Sequence, residues 1–357
     1  MKIDEATRCY EAWLISNTFI NQKQLLRKHE LMREGVATFL RATFYRWAQL
    51  WPEICPDLRS APRVLAAGDL HIENFGTWQD NEGRLIWGAN DFDEAYPLPY
   101  TNDLVRLAAS AMLANDEHQL TLKPKDACEA ILSGYLKGLE TEGRPFVLEE
   151  DHKYLRAMAF GSLRNPRHFW KKLMDEDRVK GGVPAAVSKI IEEVMPKTGL
   201  SYQFFWGSPG LGSLGRFRIV ALAELHGGKL AREVKALPPS ACLWARGRDS
   251  KKILYQSILG RAIRAHDPLV QVKESWLIRR LSPYCCRIEM NDLPKNRDEY
   301  RLLQAMGWET ANIHFGSQNS GGGIKRDLAK REPSWLRDAA KAMVKATERD
   351  WKDWKNS

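Results

Sequence analysis

The hydrophobic pattern of this chain changes period partway along, and no other feature of the sequence limits the fold as much. From Asp103 to Met195 apolar residues recur every three or four positions, through LVRLAASAML, KDACEAILSGYLKGL, KYLRAMAF and AAVSKIIEEVM, which predicts helices. Residues 4–50 read the same way, with Leu31, Val36, Phe39, Leu40 and Phe44 at helical spacing. At about residue 200 the character changes. Gly207–Gly215 is glycine-rich, and the RFRIVALAEL that follows, dense in β-branched and aromatic residues, predicts a strand. His226-Gly227-Gly228 marks a hairpin turn, with KLAREVKAL as the returning strand. After a helical piece near 250–264, LVQVKES and WLIRRLS predict two more strands, and helices resume in EYRLLQAMGWETANIHF and SWLRDAAKAMVKATERDWKDW. Nearer the N-terminus, Val64–Ala67 predicts a small strand, and Thr77–Trp78 with Leu85–Trp87 a strand pair. The expected class is α+β: a β-rich lobe at 199–285, between mostly helical residues 1–198 and returning helices at 286–357.

Composition narrows the function classes. Of 357 residues, 44% are hydrophobic and 28% charged, which is globular and not disordered. No stretch reaches the roughly 20 apolar residues of a spanning helix, and MKIDEATRCYEAW is too polar for a secretory leader. A cytoplasmic protein with no membrane partner is expected. The six cysteines contain no C-x-x-C pair, so neither a zinc site nor a disulfide framework is expected. Lys and Arg number 54 against 45 Asp and Glu, a net charge of +9 that suits phosphorylated ligands, nucleic acid and acidic surfaces alike. The basic pairs Lys171-Lys172, Lys251-Lys252 and Arg279-Arg280 read as solvated faces, and no nucleic-acid-binding signature accompanies them. A nucleic-acid partner is therefore not expected.

The residues that carry chemistry fall in two constellations. In Gly68-Asp69-Leu70-His71-Ile72-Glu73-Asn74-Phe75-Gly76, an acid is followed five residues later by an amide, in a loop leaving a strand. That spacing fits a phosphoryl-transfer loop in which Asp69 orients the attacking hydroxyl and Asn74 offers an oxygen to Mg²⁺. Seventeen residues on, Asn90-Asp91-Phe92-Asp93-Glu94 puts Asp91 where a second metal ligand would follow a hairpin. Taken singly, a Gly-Asp pair is a turn and an Asp-Phe-Asp a solvated loop. Order, spacing and strand context together favour the catalytic reading. The second constellation, Gly210-Leu211-Gly212-Ser213-Leu214-Gly215, is a literal G-x-G-x-x-G. In a dinucleotide fold that pattern opens a helix, whereas here a strand follows, as in a loop covering nucleotide phosphates. Lys235, twenty residues after Gly215 on the next expected strand, is placed to reach those phosphates.

GDLHIENFG and NDFDEAYPLPYTNDLVRLAAS resemble the bacterial domain of unknown function 2252 family, a kinase-like group, and more distantly the aminoglycoside and choline phosphotransferases. FLRATF, GLGSLGRFRIV, REVKAL, WLIRRLSP and GWETANIHFGS extend the resemblance from about residue 32 to 317. It implies a protein-kinase-like two-lobed fold using ATP and Mg²⁺, with Asp69 as catalytic base and Asn74 and Asp91 as metal ligands. Asp93 would be a second acidic group near the metal, Asp103 would brace the loop through backbone amides, and His71 would support the same loop. The resemblance leaves the hydroxyl acceptor open, small molecule or protein.

Two departures accompany it. The glycine loop and Lys235 follow the catalytic loop by about 140 residues instead of preceding it, so the fold is expected to be circularly permuted. No acidic residue lies between Asp249 and Asp267, where the partner of Lys235 is expected, and Gln256 would not neutralise it. Ala67 also stands where related phosphotransferases commonly have histidine. The leading expectation is an ATP- and Mg²⁺-dependent phosphotransferase. The alternatives are a nucleotide-binding pseudokinase and an AMP transferase on the same fold.

Overall fold

The computed structural model describes residues 1–116, 120–149, 152–162, 165–207, 210–287, 297–317 and 320–357. Ten strands form among them: β1 (Arg63–Ala66), β2 (Phe75–Gln79), β3 (Leu85–Ala89), β4 (Tyr96–Pro99), β5 (Phe146–Val147), β6 (Tyr202–Trp206), β7 (Arg218–Leu225), β8 (Gly228–Ala236), β9 (Gln271–Lys273) and β10 (Trp276–Leu281). They make three antiparallel sheets: β1 with β4, β2-β3-β5, and a five-stranded sheet in the order β6-β7-β8-β10-β9. The class is α+β. β6, the YQFFW segment, extends the expected sheet by one strand ahead of the glycines, and β5 interrupts the region expected to be helical throughout.

The turn between β7 and β8 has two residues, and both His226 (φ 52°) and Gly227 (φ 78°) lie in the left-handed region. That geometry matches the right-handed twist of the strands it joins. Because side chains alternate, the register pairing Arg218 with Lys235 and Val220 with Glu233 divides the sheet into two faces. Ile219, Ala221, Ala223, Val234, Ala236, Trp276 and Ile278 form the apolar face, packed with Val187, Ile190 and Ile191 of the helix Ala185–Val194. The other face carries Arg218, Glu233, Lys235 and Arg279 together with Val220, Leu222 and Ala231. Phe205 and Leu173, from the helix Pro166–Met174, complete its apolar part.

The larger core surrounds the helix Thr101–Asp116, where Leu104, Val105, Leu107, Ala108 and Ala109 are all fully buried. A helix apolar on every side must be enclosed on every side. The helix Trp335–Lys355 packs on it, as does Pro124–Glu140, which in turn lies against Arg297–Phe315. That last pair meets backbone to backbone. A Cβ on Gly134 would lie 1.7 Å from the Gln304 carbonyl oxygen, and one on Gly307 would lie 2.0 Å from that of Ile131. None of the described helices is long and apolar enough to cross a membrane, and no disulfide forms among the described residues.

Gly134→Ala tests this contact. Alanine is the better helix former by about 1 kcal/mol, yet the added methyl has no space. The variant is expected to lose about 1–3 kcal/mol of stability in urea unfolding. A gain in stability would refute the close helix approach.

Candidate functional site

β1 ends at Ala66, and the chain turns at Gly68, whose φ of +82° and approach to the Glu94 carbonyl (2.4 Å from a notional Cβ) leave no room for a side chain. The turn is held from the helix Thr101–Asp116. The pairing of β1 with β4 brings that helix's first turn beside the loop, and the Asp103 carboxylate accepts the amides of Ala67 (2.7 Å) and Gly68 (3.0 Å). Asn102 donates to the Gly68 carbonyl (3.1 Å), and Trp47 donates to Asn102 (3.1 Å). Behind Asp103, His314 Nε2 lies 3.2 Å from its carboxylate, and the other ring nitrogen is 2.8 Å from the Tyr135 hydroxyl.

Asp69 follows. Its Oδ1 accepts two hydrogen bonds from Arg106, from Nε at 2.9 Å and Nη2 at 2.6 Å. Oδ2 has no protein donor among the described residues and lies beside Gly212, 3.7 Å from a notional Cβ there. Burial pushes the Asp69 carboxyl above its usual range, with Arg106 opposing. Arg106 is itself fully buried, donates to the Leu40 carbonyl (2.8 Å) and stacks 4.7 Å from the Trp47 ring centroid. The sequence reading missed Arg106. Its signal is an arginine amid apolar helix neighbours, one turn after Asp103, because a buried charge requires a partner.

Beyond Asp69 the loop closes on itself. The Asn74 side-chain oxygen accepts the His71 amide (2.7 Å), and His71 Nδ1 accepts the Glu73 amide (3.2 Å). His71 is thereby a support for the turn, and burial together with Arg41, Arg106 and Arg287 holds its pKa well below the usual value. Glu73 pairs with Arg41 and Arg287. The β2–β3 hairpin, in register Phe75 with Ala89, returns the chain so that the Asn90 amide donates to the Asn74 carbonyl (2.9 Å). Asp91 thus arrives next to the first loop.

Asp91 keeps 38% of its side chain exposed to the cleft. Withdrawal from solvent, and then the like charge of Asp93, raise its pKa. Asp93 is engaged by both oxygens. Lys235 Nζ lies 2.7 and 2.6 Å from them, and Arg216 Nη1 lies 2.9 Å from Oδ2. Burial alone would raise the Asp93 pKa, but Lys235 and Arg216 hold it well below the usual range. The partner expected for Lys235 between Asp249 and Asp267 comes instead from Asp93, with Asp91 at 4.0 Å. Arg216 also reaches Glu94 (3.1 Å), whose other oxygen accepts the Ala241 amide (2.7 Å).

The glycine segment links β6 to β7. Leu211–Ser213 forms one 3₁₀ turn, with Gly212 near both the Arg41 carbonyl and Asp69. Ser213 accepts from Arg218 (2.6 Å), and Arg218 and Arg279 both pair with Glu233. Gly215 (φ +96°) packs on Leu25, while Gly210 is exposed. Asp69, His71, Asn74, Asp91 and Asp93 share with Gly210, Gly212 and Ser213 one cavity of about 1030 Å³. Gly215, Lys235 and Asp103 stand outside its lining.

No group of three or more His, Cys, Asp or Glu suited to a metal occurs among the described residues. What the cavity does offer a hard cation is the Asp91 carboxylate and the remaining lone pair of the Asn74 amide oxygen. Such a set fits Mg²⁺, which takes few protein ligands and completes its shell with phosphate and water.

The Arg106–Asp69 pair gives a direct test. Arg106→Met strands a buried carboxylate and is expected to cost about 3–5 kcal/mol in urea unfolding. Adding Asp69→Asn should restore part of the loss, with a coupling of about 1–3 kcal/mol in the double-mutant cycle. Strict additivity would show that the two side chains do not interact.

Residues 22–201 match the family described as uncharacterized proteins conserved in bacteria, DUF2252. The matched segment contains Asp69, Asn74, Asp91 and Asp103 and ends ahead of the glycine segment. No curated protein and no solved structure gives a significant match. The chain, matched over half its length and including the whole Asp69–Asp103 loop system, belongs to the DUF2252 family.

Proposed function

We propose that this protein is an ATP- and Mg²⁺-dependent phosphotransferase acting on a hydroxyl acceptor. The observation that carries the reading is convergence. Lys235, distant in sequence from the Asp69–Asp91 loops, bonds Asp93 at 2.6 Å, and the glycine segment lies beside Asp69. Separate turns and a surface lysine would have no reason to converge in this way. On this reading the five-stranded sheet is a nucleotide-binding lobe, the helical remainder is a catalytic lobe, and the order of the parts is a circular permutation of a kinase-like fold.

Each residue then has a role that its surroundings suit. Asp69 Oδ2 accepts the proton of the attacking hydroxyl, while Arg106 fixes Oδ1 and with it the carboxylate plane. Asn74 and Asp91 hold Mg²⁺, which when bound neutralises phosphate charge. The glycine-segment residues that line the cavity, Gly210–Ser213, would face the phosphates, with Lys235 behind the cavity wall, held by Asp93, adding positive charge. Most of the rate enhancement would come from positioning and charge, since phosphoryl transfer asks little covalent chemistry of the protein. The acidic partner of Lys235 removes the sequence-based reason for preferring a pseudokinase. Transfer of AMP needs the same metal residues and is distinguished by its products.

The test is a thermal-shift titration with ATP and ADP, with and without Mg²⁺, followed by a screen of hydroxyl acceptors for nucleotide consumption. At a hundred times Kd, binding adds about 2.7 kcal/mol of stability. Asp91→Ala is expected to abolish the Mg²⁺-dependent part of the shift in a folded protein. Asp69→Asn should keep that shift and lose about 10²- to 10⁴-fold in turnover. An Asp91→Ala protein with unchanged Mg²⁺-dependent binding would end the metal assignment, and release of AMP-linked product would move the reading to AMP transfer.

A further inference from the structure

Lys28 is the one residue on the helix Gln22–Leu31 whose burial its neighbours do not explain. Its side chain is only 6% exposed and lines the cavity that Asp69 lines. Lysines are almost never that buried without a carboxylate. Yet the Lys28 ammonium makes no hydrogen bond or ion pair among the described residues. The adjacent charges are satisfied: Arg27 pairs with Glu30 at 3.0 Å, and His29 with Glu11 at 2.6 Å.

The position is built, not incidental. Asn21 caps the helix by accepting the Gln24 amide (3.2 Å), and its own amide donates to the Gly215 carbonyl (2.8 Å). Ile20 bridges to Arg216. Leu25 packs on Gly215, and Lys28, one turn further along the same helix face, projects into the cavity. The charged groups facing it are Arg216, Glu11, Glu94 and Asp69. Each of those carboxylates already has a partner: Glu11 has His29, Glu94 has Arg216 and the Ala241 amide, and Asp69 has Arg106. Burial and Arg216 bring the lysine down to about 8, against the pull of Glu11, Glu94 and Asp69, so at neutral pH the ammonium is still largely present and bonds none of them. Lys235 serves the other end of the carboxylate row, at Asp91 and Asp93.

We propose that Lys28 anchors an anionic group of the acceptor, which makes the substrate class a hydroxyl compound that also carries a phosphate or carboxylate. The word acceptor rests on the phosphotransferase reading, whereas the anion site stands on the burial and isolation of Lys28.

Sulfate is the probe, because it keeps its charge across the pH range. Its affinity for the full chain is measured by calorimetry, alone and with saturating Mg²⁺ and ADP, for the unmodified protein, Lys28→Met and Lys28→Arg. Lys28→Met is expected to weaken sulfate about tenfold or more, Lys28→Arg to retain most of the affinity, and ADP binding to be the same in all three. Sulfate binding should fall as pH rises through about 8, where the ammonium is lost. Without anion, Lys28→Met should be the more stable protein in urea below that pH, because it removes an unpaired charge. Its advantage should shrink above about 8, where the folded lysine has lost its proton.

Equal sulfate affinity in the unmodified and Met proteins would overturn the anchor. Loss of ADP binding in Lys28→Met with sulfate unaffected would assign Lys28 to the nucleotide and also overturn it. A Lys28→Met protein less stable than the unmodified one would show that the ammonium has a protein partner. If the unmodified protein binds no ADP, the phosphotransferase reading fails on that arm, and sulfate without nucleotide still decides Lys28.

Discussion

Asp93 is the buried charge on which the arrangement of the cavity depends. Its carboxylate, 8% exposed, meets Lys235 from β8 and Arg216 from the end of the glycine segment. Taking three such charges out of water is costly, and attraction offsets the cost only when the geometry is close. The cluster therefore selects one relation between the sheet and the loop after β3. A shift of one residue in β8 would turn Lys235 to the apolar face and strand both partners. The register of a sheet and the position of a loop are in this way decided by one interaction.

The rest of the cavity follows the same rule of paired charges. Arg106 answers Asp69, Arg218 and Arg279 answer Glu233, Arg41 and Arg287 answer Glu73, and Glu94 divides its oxygens between Arg216 and a backbone amide. Three groups stand apart. Asp91 keeps a face toward the cleft and meets Lys235 only at 4.0 Å. Lys28 makes no ion pair among the described residues, and Arg264 bonds no carboxylate there and lies over the Trp78 ring. Charges left short of close partners in one cavity are where ligands of opposite charge gain most, since part of the desolvation has already been borne by the fold.

Much of the fold is legible in the sequence because its period is legible. The β7–β8 hairpin, with β-branched strands around His226-Gly227, and the helices at 101–116 and 297–315 each carry a local pattern. β6 escaped because its strand character, YQFFW, abuts glycines that read as a break. The candidate loops are legible through spacing: Asp69 to Asn74 is one turn, and Asn74 to Asp91 is one hairpin. Arg106, Arg216 and Glu94 were not, because an arginine in a helix or after a glycine has no local signature of the carboxylate it meets. Lys235 shows the limit most clearly. Its acidic partner was sought along the following helix, and lies 142 residues upstream in Asp93.

The sequence by itself determined the α+β class, the loops that carry Asp69, Asn74 and Asp91, and the need for glycine at turns such as Gly68, all of which rest on contacts within a few residues. Only the tertiary structure decided which charges meet. Ion pairing in a buried site is set by distance in space, and the pairs here close loops of 15 to 214 residues that no local pattern encodes. It also revealed Lys28 as the ammonium left over, since an absent partner becomes visible only when every neighbour has a position.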